Sequence, residues 1–209
     1  MLNRIKAVIT AAVLLGGVSA SQADVIINVE QVGSNIVATG SGTINLTSLT
    51  NGSPNHFDGY IAPGVAEVVV GSSAYMNMWT ILPGPKSFGA NIYGSYPNST
   101  TGDLFGMGGA NMGDNKLCTP VGYVSGFSLS GSSTWNNQTY ATLGVTLGTS
   151  TTWNWGTGAT ADSLTVHIGP AAPTAVPEPT TYALLCISLG VVGFARKKMK
   201  HNEQLTMDN

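Results

Sequence analysis

Residues 25–38, VIINVEQVGSNIVA, determine the fold class of this chain. Apolar side chains occupy every second position from Val25 to Val29, and a Gly33-Ser34 pair separates them from a second apolar run that begins at Ile36. A period of two is typical of a half-buried strand, and a glycine-containing pair between two such runs is typical of a hairpin turn. The stretch therefore predicts an opening β-hairpin. Its second strand continues through Gly40-Ser41-Gly42, where glycine indicates a bulge or a close approach by another part of the backbone.

Strand-like segments recur up to residue 169, and none of them shows the 3.6-residue apolar period of a helix. They cover residues 65–70, 75–82, 121–129, 133–135, 139–143, 151–156 and 163–169, with a turn at 136–138. The stretch 86–115 is dense in glycine and asparagine, and we expect it to be irregular apart from one short strand. Many short strands separated by turns predict an all-β fold, either a single β-sandwich or an open barrel.

The central part of the chain carries very little charge. Charged residues make up 9% of the 209 residues, against about 25% in an average soluble protein. Between residues 24 and 173 the only cations are Lys86 and Lys116, against seven acidic residues, so this part has a net charge of −5. A nucleic-acid partner is disfavoured because no basic patch is present. Disorder is the alternative for such a glycine-rich stretch, but recurring β-branched and aromatic residues favour a folded domain.

Residues 1–23 have the three parts of a secretory signal peptide. Arg4 and Lys6 form the positive front, residues 7–18 form the apolar middle, and Ser21-Gln22-Ala23 is a small-residue cleavage site. Cleavage after Ala23 would make Asp24 the new N-terminus, and cleavage after Ala20 is the alternative. We therefore expect the domain that follows to be exported.

Residues 176–200, VPEPTTYALLCISLGVVGFARKKMK, predict a short membrane-spanning segment. No residue from 180 to 195 is charged, although a span usually needs roughly 20 residues. A buried core helix is the alternative. The cations that follow at once favour the membrane, because they resist crossing and hold the C-terminus in the cytoplasm. They are Arg196, Lys197, Lys198 and Lys200.

The same region resembles a PEP-CTERM sorting signal. Val176-Pro177-Glu178-Pro179, a short apolar helix and a basic end occur in that order at the end of the chain. The resemblance implies recognition by an exosortase, an inner-membrane enzyme of Gram-negative bacteria that is thought to cleave such signals during export. The Gly-Ser-Gly, Tyr-Val-Ser-Gly, Trp-x-Trp-Gly and Asp-Ser-x-Thr-Val segments also resemble those of many exported PEP-CTERM proteins, which implies a recurring β domain without an assigned activity.

These observations predict five consecutive segments. They are a signal peptide at 1–23, an exported β domain at 24–170, a linker with the Pro-Glu-Pro motif at 171–180, a transmembrane helix at 181–195 and a basic cytoplasmic tail at 196–209.

Candidate catalytic residues are scarce. His56 and Asp58 lie two residues apart in a loop-like Asn-His-Phe-Asp-Gly stretch and could form half of a hydrolytic site, although such spacing is a common coincidence. His167 lies between Val166 and Ile168, which face the other way on a strand, so we expect a solvent-facing or hydrogen-bonded histidine. The motifs of serine hydrolases and zinc proteases are missing from the sequence. The sequence therefore predicts no catalytic residue and no cofactor.

Two further patterns leave alternatives open. Asp103 and Asp114 flank a glycine-rich stretch that is either a calcium loop or a flexible surface loop, but its spacing fits neither a glycine-aspartate repeat nor an EF-hand, so no metal site is predicted. Trp153 and Trp155 share one face of a strand, where they either pack in the core or form a platform for sugar rings. Cys118 has no disulfide partner in the domain, and we expect a buried small hydrophobic side chain.

The sequence thus leaves two functions open. One is a non-enzymatic protein of the cell surface, the outer membrane or the exopolysaccharide matrix of a biofilm. The other is a secreted carbohydrate-binding module or a hydrolase that acts on matrix polysaccharide.

Overall fold

Twelve strands form two six-stranded sheets in a computed structural model that describes residues 24–80, 84–111 and 113–170. In chain order they are β1 (Asp24–Val32), β2 (Asn35–Thr43), β3 (Thr50–Phe57), β4 (Tyr60–Ala62), β5 (Glu67–Val70), β6 (Ala74–Thr80), β7 (Ser99–Gly102), β8 (Phe105–Gly108), β9 (Lys116–Pro120), β10 (Ser128–Trp135), β11 (Ser150–Trp155) and β12 (Asp162–Ile168). The prediction of an all-β domain is confirmed.

The first sheet has the order β11-β12-β1-β2-β10-β7, and the second has the order β3-β6-β9-β8-β5-β4. The predicted opening hairpin is present, because β1 pairs with β2 in antiparallel register from Val25↔Gly42 to Val32↔Asn35. Strand β12 pairs with β1 in parallel, so the first and last strands lie side by side at the centre of the first sheet.

One hydrophobic core fills the space between the sheets. Val25, Ile27 and Val29 of β1 are fully buried in it, together with Val68 of β5 and Phe105 of β8 from the second sheet. Alternating residues from two facing sheets make a two-layer core of this kind.

Gly40 of β2 allows the two layers to approach closely. A Cβ at this position would lie 2.7 Å from Cζ of Phe105 and 2.9 Å from Cγ2 of Val70. At Gly40 the neighbours are side chains of the other sheet. The close approach of backbone predicted from Gly40-Ser41-Gly42 is confirmed at Gly42, where a Cβ would overlap the Asp24 carbonyl of the neighbouring strand.

The second sheet also buries its outer face. Val69 points away from the common core and joins a second cluster of buried residues that includes Met76, Met78, Leu104 and Cys118. Cys118 is fully buried, as expected. Burial on both faces explains why β5, with the sequence Glu-Val-Val-Val, does not alternate between apolar and polar residues.

Several sequence-based strand predictions are wrong. Residues 121–127 form turns rather than a strand, because Gly122 and Gly126 adopt φ values of 83° and 86° that do not fit an extended chain. Residues 140–143 form one helical turn, α1 (Tyr140–Leu143), whose start is capped by reciprocal hydrogen bonds between Thr139 and Thr142.

Other strands were missed or displaced. The stretch 86–115 contains two strands, β7 and β8, rather than one, and β3, β4 and β9 were not predicted. The predicted strand at 65–70 begins later, at Glu67, because a 3₁₀ turn occupies Pro63–Val65.

The predicted signal peptide, linker, membrane helix and cytoplasmic tail lie outside the described residues. Within the ranges described, no helix has both the length and the hydropathy that a membrane span requires.

Candidate functional site

A hydrogen-bonded pair of buried side chains lies on the outer face of the second sheet. Strands β4 and β5 form an antiparallel hairpin in which Tyr60 pairs with Val69 and Ala62 pairs with Glu67, so Tyr60 and Glu67 are diagonal neighbours on one face. The Tyr60 hydroxyl donates a hydrogen bond of 2.9 Å to Oε2 of Glu67. The two residues are only 6% and 1% exposed. A charged residue this deeply buried needs such partners to offset its desolvation.

The glycine-rich loop between β8 and β9 closes over this pair. The backbone N–H of Gly113 donates to Oε1 of Glu67 at 2.9 Å, and the N–H of Gly109 donates to the Tyr60 hydroxyl oxygen at 3.3 Å. Both carboxylate oxygens of Glu67 therefore have donors, one from a side chain and one from the backbone. Tyr60 and Glu67 thus hold the backbone of the β8–β9 loop at Gly109 and Gly113.

Burial sets the protonation of both groups. It raises the pKa of the Glu67 carboxyl above its ordinary value, while the hydrogen bonds from Tyr60 and from the Gly113 amide act in the opposite direction. Burial also raises the pKa of the Tyr60 phenol far above its ordinary value, and the neighbouring Glu67 carboxylate raises it further. Tyr60 thus stays protonated and can act only as a neutral donor and acceptor near neutral pH.

A cleft of about 290 Å³ opens beside the pair. It is lined by His56, Phe57, Asp58, Tyr60, Glu67, Tyr96, Gly109 and Ala110. A second cleft of about 230 Å³ adjoins it, lined by Asp58, Gly59, Ser73, Tyr96, Pro97, Asn98, Ser99 and Thr100. Asp58 and Tyr96 line both clefts, so the two are neighbours, and we call the pair of clefts the groove.

The aromatic wall of the groove is supported by fixed backbone. Tyr96 is 67% exposed, and its ring centroid lies 6.3 Å from that of Tyr60. The residue before it, Ser95, exchanges two backbone hydrogen bonds with Ile61, and its carbonyl also accepts a hydrogen bond from Nε1 of Trp135 at 3.1 Å. The backbone next to this exposed ring is thus tied to the backbone of Ile61 and to the buried side chain of Trp135.

The structure brings the predicted residues His56 and Asp58 into this groove. His56 lies at the end of β3, where its Nε2 is 3.5 Å from the Ser73 hydroxyl and its ring meets Tyr75 edge-on at 5.1 Å. Asp58 is exposed in the β3–β4 turn. The two residues therefore share a site, and the contact of 3.5 Å between the histidine and Ser73 is a weak hydrogen bond.

The tryptophan platform considered from the sequence is wrong. Trp153 and Trp155 are 1% and 4% exposed and pack in the common core, because every second residue of β11 points inward. Trp155 donates from Nε1 to the Asn45 carbonyl at 2.9 Å. The core alternative is the one that the structure supports.

Asp103 and Asp114 have separate structural roles. Oδ2 of Asp103 accepts from the Ser130 backbone N–H at 3.0 Å, whereas Asp114 pairs with Lys116 at 3.3 Å in the loop between β8 and β9. Among the described residues no three metal-ligating side chains form a group. His167 is half-buried, and its Nε2 lies 3.0 Å from the Pro170 carbonyl, as expected for a hydrogen-bonded histidine.

Sequence reasoning missed Tyr60, Glu67 and Tyr96. The available signal was Glu67 itself, a carboxylate directly before the three valines of a buried strand. A charged residue in such a position is expected to have partners, but the sequence does not show which residues supply them.

Comparison with known proteins identifies the C-terminal region. Residues 175–200 match the family model of the PEP-CTERM protein-sorting motif, which confirms the resemblance seen from Val176-Pro177-Glu178-Pro179 onward. No curated protein and no solved structure matches the chain. The chain therefore carries an exosortase sorting motif on a β-rich domain.

Proposed function

We propose that this exosortase-sorted chain is a non-enzymatic protein of the cell surface or of the extracellular exopolysaccharide matrix. The carrying observation is the sorting motif at residues 175–200. It implies export, recognition by an exosortase and membrane-associated sorting toward the cell surface. What we propose beyond this is the final location, which is the outer membrane, the surface or a biofilm matrix.

The charge of the domain supports an extracellular structural role. Between residues 24 and 173 only two cations and seven acids occur, so its surface depends on serine, threonine and asparagine for solubility. Such a surface offers hydroxyl and amide groups to hydrated polymers without attracting nucleic acid.

The geometry of the groove supports binding rather than turnover. Glu67 is the carboxyl with the most perturbed environment there, but both of its oxygens accept hydrogen bonds from Tyr60 and Gly113. A general acid or base must reach the substrate atom with which it exchanges a proton. Glu67 is only 1% exposed and instead holds the loop in place.

A carbohydrate-binding module or matrix hydrolase is the second candidate. The groove beside His56 and Asp58 favours it, because a cleft with an exposed tyrosine and several polar side chains is a common form of ligand site. Hydrolysis would require His56 or Asp58 to act on a bound substrate.

Cell fractionation combined with a turnover assay tests the proposal. With an antibody against residues 24–170, we expect the protein in the surface or matrix fraction. The released protein should leave the size distribution of neutral and acidic polysaccharides unchanged. Retention in the cytoplasm would contradict the sorting role, and polysaccharide cleavage that His56→Ala abolishes would establish the hydrolase instead.

A further inference from the structure

The groove has the shape of two adjoining subsites. Its clefts measure about 290 and 230 Å³ and share only Asp58 and Tyr96. Each lies below the range of about 300–1,000 Å³ that is usual for drug-sized ligands. Each cleft therefore fits one ring-sized group, and the shared residues lie where two such groups would be joined.

The exposed ring of Tyr96 lies at this junction. It is 67% exposed, although the Ser95 backbone beside it is held by Ile61 and Trp135. A tyrosine ring offers an apolar face and a polar hydroxyl, and its two side-chain torsions leave little conformational entropy to lose when a ligand packs on it. The C–H faces of sugar rings are suitable partners for such a surface.

The polar lining selects for a ligand that is rich in hydroxyl groups and not anionic. The Asp58 carboxylate lies in both clefts, and the second cleft adds the hydroxyls of Ser73, Ser99 and Thr100. Neither cleft is lined by a lysine or arginine among the described residues. Lys116 is paired with Asp114 at 3.3 Å. A carboxylate without a neighbouring cation repels anions and accepts hydrogen bonds from hydroxyl donors.

The architecture holds these groups in place. Asn98 of the second cleft accepts a hydrogen bond of 2.8 Å from the Asn136 backbone N–H. The Tyr60–Glu67 pair holds the Gly109 side of the first cleft through the Gly109 N–H. The groove is thus largely preformed, which lowers the cost of binding.

We propose that this groove binds a short stretch of a neutral polysaccharide, with one sugar ring in each cleft and Tyr96 stacked at their junction. The inference rests on the proposed surface or matrix function and gives it a ligand class. Asp58 accepts hydrogen bonds from sugar hydroxyls on both sides of the linkage.

Isothermal titration calorimetry of the full chain in detergent tests the proposal, with neutral tetra- and hexasaccharides of glucose, xylose, mannose and N-acetylglucosamine as probes. We expect saturable binding of at least one probe. Tyr96→Ala should weaken it about tenfold or more, through loss of stacking area. Asp58→Asn should weaken it by a smaller factor, because an amide keeps one acceptor oxygen. Tyr93→Ala is the matched control, since Tyr93 is 73% exposed and lines neither cleft.

Three results would overturn the proposal: binding to none of the neutral probes, equal losses in Tyr96→Ala and Tyr93→Ala, or tighter binding of tetragalacturonate than of any neutral probe. Fractionation of the Tyr96→Ala variant separates this failure from failure of the proposed function. If the protein binds no glycan but the variant still reaches the surface normally, the sorting role stands and only the groove proposal fails.

Discussion

The hydroxyl of Tyr60 donates a 2.9 Å hydrogen bond to Oε2 of Glu67, and this contact links the second sheet to the loop that closes over it. The carboxylate accepts in turn from the Gly113 N–H, and the hydroxyl oxygen accepts from the Gly109 N–H. A carboxylate that is 1% exposed is thus compensated by one phenol and one backbone amide. The stability of this part of the domain should therefore depend on both partners and on pH.

Tyr60→Phe should destabilise the domain by about 1.5–3 kcal/mol at about pH 7, because it removes a hydrogen bond to a buried carboxylate. The pKa of Glu67 is raised in the folded state, so its contribution to stability is present at low pH and is lost as pH rises through that folded pKa. Loss of the Tyr60 donor raises this pKa further. The cost of the substitution should therefore shrink at about pH 5, as measured by urea unfolding. Tyr93→Phe is the control, and equal costs for the two variants at both pH values would contradict the account.

Asp162 should make the domain more stable as pH falls from about 7 to about 4. Burial raises the pKa of its carboxyl from 3.8 to about 6, although the backbone N–H groups of Asn45 and Ser163 donate to it at 2.6 and 2.7 Å. The folded state then binds this proton more tightly than the unfolded state. The stabilising contribution is complete below pH 3.8 and is lost as pH rises through about 6. It amounts to at most about 3 kcal/mol.

Asp162→Asn should remove this part of the pH dependence, because an amide does not titrate. Urea unfolding of both proteins across the same pH range isolates the contribution of Asp162. Parallel stability curves for the wild type and the variant would show that Asp162 is not responsible.

The two tryptophans of β11 should respond differently to removal of the indole N–H. Trp155 donates from Nε1 to the Asn45 carbonyl at 2.9 Å, whereas Nε1 of Trp153 has no acceptor among the described residues. Trp155→Phe should therefore cost about 1 kcal/mol more than Trp153→Phe in urea unfolding, because it also leaves a carbonyl without its donor. Each variant is the control for the other, and a larger cost for Trp153→Phe would contradict the assigned hydrogen bond.

Cys118 should be inert in the folded protein. Burial raises the pKa of its thiol to about 12, and the neighbouring Glu67 charge acts in the same direction. In a Cys186→Ser background, Ellman's reagent should find no reactive thiol in native protein and one after denaturation. The same protein should run as a monomer in non-reducing gels. Rapid native labelling, or a disulfide-linked dimer, would show that the thiol is accessible.

The sequence predicts those strands that bury only one of their two faces. In β1, β11 and β12 one face meets the common core and the other does not, so apolar residues alternate and the pattern is readable. Strand β5 is buried on both faces, and in β8 two glycines supply no pattern at all. The period-two signal is therefore weak where the second sheet is covered on both sides.

Local hydrogen bonds explain the two wrong strand predictions. Residues 121–127 turn at Gly122 and Gly126, and the Tyr123 hydroxyl holds the turns, because it accepts from the Ile44 N–H at 2.8 Å and donates to the Phe127 carbonyl at 2.7 Å. At 139–143 the reciprocal bonds of Thr139 and Thr142 and the left-handed Gly144 stabilise one helical turn despite the β-branched residues. The groove could not be foreseen, because it depends on partners from β4, β5 and two loops that are far apart in sequence.

Residues 175–200 match the PEP-CTERM protein-sorting motif, and we propose that this tail is removed during export. From the sequence we expect the short apolar run to insert and Pro177-Glu178-Pro179 to stay extended outside the membrane, because each proline restricts its own φ and the residue before it. Changing these three residues to alanine leaves the apolar run and Arg196, Lys197, Lys198 and Lys200 unchanged. Insertion should therefore persist while recognition is lost.

The decisive measurement is the mass of the surface-released protein, combined with fractionation by an antibody to the β domain. We predict that the released wild type lacks Arg196 and everything after it, and that the triple-alanine variant stays in the inner membrane with its tail attached. A released wild type that still carries Arg196 onward, or release of the triple-alanine variant at the normal rate, would contradict the account.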